Sequence, residues 1–383
     1  VEAFSTMIFQ GDLAPVGNSI SLESSAECRL ENQLGSHQYW LDSGTSALAL
    51  ALLDAKSHFP DVDNPRAIIP GYCCPDLIAA CVYAGVEAVA IDISPNDPAY
   101  DLEALRLHLD ANVIAIIAVN FLGIGERLQE LRELISDLNL RTRVIEDNAQ
   151  WFPSSVSEME FQSDYVSFSF GRGKPMSLLG GGLLCSKAPI AIAASDFIEK
   201  LVPSPRLLWL KITAYNLLLT PQLYQLLNRN PLLSLGVTRY VPLEKIEHFD
   251  VYRRALLDEN FTLHCARDNT VAQRYDSVVV NNGVQHLAAN CAVRQRQLLR
   301  YPLLCRDEIS RNKLLQHLSK AGLGASPMYA SAIDRIEGVD GKLVVPRPLT
   351  NAQDFAARFM TLPVHHGVTD RYISQILSML SST

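Results

Sequence analysis

From residue 113 to residue 121 the chain reads Val-Ile-Ala-Ile-Ile-Ala-Val-Asn-Phe, too rich in isoleucine and valine to leave one face in water. Such a run is the buried central strand of a parallel sheet, and its surroundings repeat the theme. Short apolar segments at 67–69, 87–93 and 143–146 alternate with helical patterns at 44–56, 75–85, 101–109 and 126–138. Strands alternating with helices of this length predict an α/β fold, a mostly parallel sheet with right-handed crossovers and helices on both faces. Ligands of such sheets collect at the carboxyl ends of the strands.

At 383 residues the chain is too long for one ordinary core. The pattern predicts a large domain over 1–250, with an arm and one helix in 1–38, and a smaller C-terminal α+β domain over 251–383. Helices are expected at 243–249, 286–299, 307–321 and 370–380, with an irregular apolar-proline section at 343–349. The net charge of −8 and the lack of a basic stripe exclude a nucleic-acid partner. Eight scattered cysteines without a C-x-x-C pair predict free thiols in a reducing cytoplasm and no metal site. No leader pattern opens the chain. The apolar stretch 206–235 is broken by Lys211, Asn216, Pro221 and Arg229, so it cannot span a bilayer. It reads as a helical insert, about 206–240, packed on the body or against another subunit; contact with a membrane surface is the lesser reading.

Four segment ends, one the start of a helix and three the ends of strands, carry chemistry. Ser43, Gly44, Thr45 and Ser46 precede an alanine–leucine helix, gathering free N–H groups, hydroxyls and the positive dipole end where a phosphate could sit. Glu146 and Asp147 follow a buried strand, and a carboxylate there could keep a heterocyclic nitrogen protonated. Asn120 ends another strand. The fourth end, Ser167-Phe-Ser-Phe-Gly-Arg-Gly-Lys174, stops at a lysine before the glycines 180–182. A lysine held between buried strands is either a strand end reaching for solvent or a nucleophilic amine able to condense with an aldehyde.

These segments resemble the DegT/StrS-type sugar aminotransferases, fold type I pyridoxal-phosphate (PLP) enzymes. Ser43-Gly-Thr-Ser-Ala-Leu48 is similar to the family's S-G-T-x-A-L, Glu146-Asp-Asn-Ala-Gln150 to its E-D-x-A-Q, and Ser167 to Lys174 with Gly180-Gly-Gly182 to its S-F-x-x-x-K…G-G. Ile68-Ile-Pro-Gly-Tyr72, Val89-Ala-Ile-Asp92 and the Arg358 to His365 segment match further landmarks in order.

The resemblance implies that Lys174 binds the cofactor as an aldimine and moves the proton, and that Asp147 holds the pyridinium nitrogen. Gln150 would lie near the ring's 3-oxygen. Gly44, Thr45 and Ser169 would hold the phosphate, and Ser46, Tyr72 and Asn120 would complete the cofactor site. Arg172 and Tyr329 would face substrate; His365 and His366 are expected to be structural. The implied reaction carries an amino group from an amino-acid donor, glutamate, to a nucleotide-linked keto sugar, in a cytoplasmic homodimer whose 206–240 insert reaches the partner. The alternatives are a PLP enzyme of non-sugar ketones or amino acids, or a non-enzymatic PLP-binding regulatory or assembly protein.

Departures from the family pattern cluster near the cofactor face. Gly171 stands where histidine is usual, and Cys74 where an aromatic commonly stacks on the ring, with Tyr72 as a substitute. Thr238 replaces a partner-chain asparagine.

Overall fold

The computed structural model describes residues 11–25, 28–34, 37–159, 161–191, 204–229, 238–279, 284–287 and 297–381. The main sheet contains β1 (His37–Leu41), β2 (Arg66–Pro70), β3 (Glu87–Ile91), β4 (Val113–Val119), β5 (Arg143–Asn148), β6 (Tyr165–Ser169), β7 (Gly182–Ser186) and β10 (Leu343–Val344). Across the sheet the order is β1-β7-β6-β5-β4-β2-β3-β10. Every neighbouring pair is parallel except the two made by β7, which runs against both β1 and β6.

Both faces of this sheet are covered, as the apolar run at 113–121 requires. Ala115 and Ile117 of β4 pack with α1 (Gly44–Ser57) and α2 (Asp76–Ala84). Ile116 and Ala118 pack on the other side with Leu105 of α3 (Leu102–Arg106) and Leu131 and Ile135 of α4 (Leu128–Asp137). Local chemistry sets the helix ends. Ser43 caps α1 through the Ser46 N–H, and Asp101 caps α3 through the Glu103 and Ala104 N–H groups.

A second sheet is antiparallel, with β9 (Tyr301–Cys305) between β8 (Val284–His286) and β11 (Phe359–Leu362). It shares a core with α9 (Thr270–Val279), α10 (Glu308–Lys320) and α12 (Asp370–Ser381). The expected division at residue 250 describes the packing only in part. Leu257, in α8 (Leu257–Cys265) just after α7 (Val251–Arg254), packs with Phe152, Phe168 and Phe170 of the first domain. Beyond the second sheet the chain returns: β10 adds to β3, and Tyr329, Ile333 and Phe355, the last on α11 (Thr350–Arg358), join the large core.

Two expected helices differ. Residues 243–249 are irregular, because Asp42 and Trp40 at the open edge of β1 bond the backbone of Glu247 and Phe249. An unpaired strand edge outcompetes local helical preference there. The segment expected as a helix from 286 begins as the end of β8, and 288–296 lie outside the described residues. The N-terminal arm contains only a 3-10 turn at Leu30–Asn32 among its described residues, with 1–10 outside them.

The insert forms two helices as expected, α5 (Pro205–Leu218) and α6 (Pro221–Asn228). Alpha-5 buries only Leu208 and Ile212, and α6 buries none of its residues. Trp209, Leu210, Leu217 and Leu226 are exposed. No helix among the described residues is long and apolar enough to cross a membrane.

The N-terminal segment ties these parts together. Asp12 accepts from Asn228 and Arg229 beside α6, Ile20 exchanges two hydrogen bonds with Asn216 of α5, and the Leu13 N–H donates to Gly322 after α10. His365 completes the lacing. Its Nε2 lies 2.9 Å from the Ala14 carbonyl oxygen, and its Nδ1 accepts from the Gly367 N–H at 3.2 Å. That pair of contacts demands the neutral ring. Burial lowers its pKa from the ordinary 6.5 to about 4, and burial does the same for His264.

The folded state therefore binds fewer protons than the unfolded one between about pH 4 and 6.5, so stability present above 6.5 is lost as pH falls. His365→Gln should flatten this decline by up to ~1.4 kcal/mol per pH unit within the window, as read in urea unfolding at pH 7 and pH 5. Equal pH slopes for the two proteins would refute this account of His365.

Candidate active site

The carboxyl ends of β1 and β6 meet at one corner. A Cβ on Gly44 would lie 2.7 Å from Cβ of Ser169, so only glycine lets the start of α1 come so close to the end of β6. Ser43 Oγ takes the Ser46 N–H and its carbonyl takes the Ala47 N–H. The Gly44 and Thr45 N–H groups are then left without partners inside the helix. The Thr45 and Ser169 side chains are half-buried beside them. Among the described residues, Ser169 Oγ receives only a long contact, 3.4 Å, from the Gly171 N–H. N–H groups, two hydroxyls and a helix dipole on a glycine floor make a phosphate cradle.

Asp147 is the next-to-last residue of β5 and is buried. Burial raises its pKa, against the Ala149 N–H, which donates to Oδ1 at 2.9 Å, and the positive charge of Lys174. A buried carboxylate in this position gains from a further cationic N–H, which a pyridinium ring supplies. Lys174 is half-buried in the loop after β6, and its charge also acts on the Cys74 thiol. The peptide that follows it is anchored: the Pro175 carbonyl accepts from Arg267 Nη1 at 2.6 Å and from Asn18 Nδ2 at 3.4 Å. No sequence motif pointed to Arg267, which lies 92 residues from its acceptor.

Gln150 is buried with both ends engaged. Its Oε1 accepts from the Leu122 N–H at 3.0 Å, and its Nε2 donates to the Tyr329 hydroxyl at 2.7 Å. Tyr329 is thereby brought from the C-terminal half to the strand ends, where its hydroxyl feels Cys74 and Asp147. Arg172 is exposed, and its charge reaches Tyr215 and Tyr224 of the insert.

Three expected cofactor residues point elsewhere. Ser46 is fully buried and its hydroxyl donates to Asp42 Oδ1 at 2.8 Å, so it braces the turn under the cradle. Tyr72 is 1% exposed, edge-on to Phe121, Tyr329, Phe355 and Phe359, with its hydroxyl donating to the Tyr329 carbonyl at 3.0 Å. Its ring pins the two halves of the chain and leaves no face for a cofactor, so it does not replace the missing stacking aromatic. Asn120 is also sealed in. Its Nδ2 donates to Glu146 Oε1 at 2.8 Å and to Asn148 Oδ1, and its Oδ1 accepts from the Glu126 N–H. Cys74 is the residue at position 74 that senses Lys174, and its thiol pKa is raised, chiefly by burial.

The residues that remain, Gly44, Thr45, Asp147, Gln150, Ser169 and Lys174, fit pyridoxal phosphate: a cradle for the phosphate, a buried carboxylate for the ring nitrogen and an amine for the aldehyde. No cluster of side chains able to hold a metal occurs among the described residues.

Comparison with known proteins bears on family and fold. The profile of the DegT/DnrJ/EryC1/StrS aminotransferase family matches residues 29–199 and 259–381. Protein MosB of Rhizobium meliloti is 26% identical over 209 residues, which is 54% of this chain but only 40% of MosB. Among solved structures, the sugar aminotransferase CalS13 of Micromonospora echinospora superposes with a TM-score of 0.66 at 18% identity, covering 99% of this chain and 95% of CalS13. Spr1654 of Streptococcus pneumoniae in its PLP form gives 0.66 at 18% identity, covering 100% of this chain and 96% of that one. The likenesses in structure speak to the fold, and the profile, which matches most of the chain, speaks to descent. The chain belongs to the DegT/DnrJ/EryC1/StrS aminotransferase family.

Proposed function

We propose that the protein is a PLP-dependent aminotransferase that takes an amino group from an amino acid, glutamate, and delivers it to a keto group of a nucleotide-linked sugar. The observation that carries this reading is the convergence of an amine, a buried carboxylate and a phosphate cradle at the ends of β1, β5 and β6. When bound, the cofactor supplies an electron sink for the carbon that loses its proton. The residues of this chain do the rest. Gly44, Thr45 and Ser169 would hold the phosphate, and Asp147 would keep a proton on the ring nitrogen. Lys174 would hold the cofactor through Nζ, its amine condensing with the aldehyde as water leaves, and would be the group that moves the substrate proton. Gln150 and Tyr329 form a hydrogen-bonded pair that would border the ring's 3-oxygen side. Arg172, exposed in the Lys174 loop, would meet the substrate.

The enzyme acts in the cytoplasm as a homodimer in this reading. The exposed apolar face of the insert, with Trp209, Leu210 and Leu226, favours a second copy as its cover.

Two outcomes test the proposal. Protein loaded with PLP and mixed with glutamate should lose its visible absorption band while releasing 2-oxoglutarate, and a nucleotide-linked keto sugar should restore the band. A band unchanged by glutamate and by other amino acids would overturn the reaction. Gly44→Ala places a methyl group against Ser169 and should weaken PLP binding at least about tenfold by equilibrium dialysis, the loss of one or more charge-assisted contacts. Wild-type affinity in that variant would overturn the cradle.

A further inference from the structure

We infer that Arg300 forms an anion subsite of the cleft, holding a carboxylate or phosphate group of the substrate; this rests on the aminotransferase reading. Arg300 precedes β9, and its Nε is enclosed with no hydrogen-bond partner. Its Nη1 has one long contact, 3.4 Å to Ser326 Oγ. No ion pair engages it among the described residues, and the chain from residue 277 to residue 306 contains no aspartate or glutamate at all. Burial lowers its pKa, as expected for a guanidinium short of a counter-charge.

An enclosed cationic N–H without a partner is costly, and few are left so in native proteins. The cost is recovered where a ligand brings the missing charge. Position favours the substrate as that ligand. Ser326 opens the turn that carries Tyr329, the residue hydrogen-bonded to Gln150, and the Arg300 charge acts on Tyr329 and on Tyr224 of α6. The Arg172 charge, also without an ion pair among the described residues, acts on Tyr224 too. Two guanidinium groups without an ion pair among the described residues therefore act on one tyrosine, one from the Lys174 loop and one from the C-terminal half. A guanidinium matches two anionic oxygens at once, so both carboxylate and phosphate suit it. The first would come from the amino donor and the second from the nucleotide portion of the acceptor.

The test uses the PLP-loaded protein and isothermal titration with glutarate, inorganic pyrophosphate and the neutral glutaramide. The wild type should bind at least one of the two anions. Arg300→Gln should weaken that anion at least about tenfold, while glutaramide affinity and the visible band stay unchanged. Loss confined to glutarate assigns the subsite to the donor, and loss confined to pyrophosphate assigns it to the acceptor. If Arg300→Gln does not fold, Arg300→Lys carries the test through a smaller but measurable loss, since a point charge forfeits the paired contact. Anion affinity equal to wild type, an equal loss for glutaramide, or a wild type that binds neither anion overturns the inference. A missing visible band in the wild type would instead count against the aminotransferase reading.

Discussion

The site depends on how closely two glycines allow β7 to approach the start of α1. A Cβ on Gly182 would sit 2.1 Å from the Ser43 carbonyl oxygen, and one on Gly181 would sit 2.2 Å from the Phe249 ring. With neither present, the Gly181 N–H donates to Asp42 O at 2.7 Å and its carbonyl accepts from Phe170 N–H at 2.8 Å. One residue thus ties the end of β1 to the end of β6. The antiparallel strand β7 can then lie between them, and Ser169, Gly44 and the Lys174 loop are brought to one corner. A side chain at 182 would push the Ser43 backbone away, and one at 181 would displace the Phe249 ring.

Beneath that corner lies a polar layer that supports the site without facing it. Glu146 accepts from Asn120, Asn148 and Ser163, and Asn120 in turn receives the Glu126 N–H. Glu126 takes the N–H groups of Tyr100 and Arg127, and burial raises its pKa to about 7. Adjacent residues of β5 point to opposite faces, so Glu146 serves this layer while Asp147 serves the cleft. Satisfied buried networks of this kind hold strand ends rigid, which a site needs when its parts come from several strands.

Much of this was legible from the sequence, for a physical reason. Buried strands announce themselves by composition, and in a parallel sheet the residues after them reach the same edge, which is why Gly44, Asp147 and Lys174 could be brought together on paper. What stayed hidden was the direction of side chains whose partners are remote. Tyr72 looks like a cofactor aromatic until the Tyr329 carbonyl, 257 residues away, claims its hydroxyl. Ser46 and Asn120 belong to neighbouring turns and strands in the same way. The failed helix at 243–249 has a similar cause, since a free edge at β1 is a tertiary fact. Arg300 carried no motif and is visible only as an orphaned N–H in the folded chain.

The central claim is that Lys174, among all lysines of the chain, is the one that meets the cofactor. Borohydride reduction of the PLP-loaded protein, followed by proteolysis and mass spectrometry, reads this directly. The account predicts one modified peptide, with the pyridoxyl mass on Lys174. Attachment to another lysine, or no attachment in protein shown to retain PLP, would contradict it.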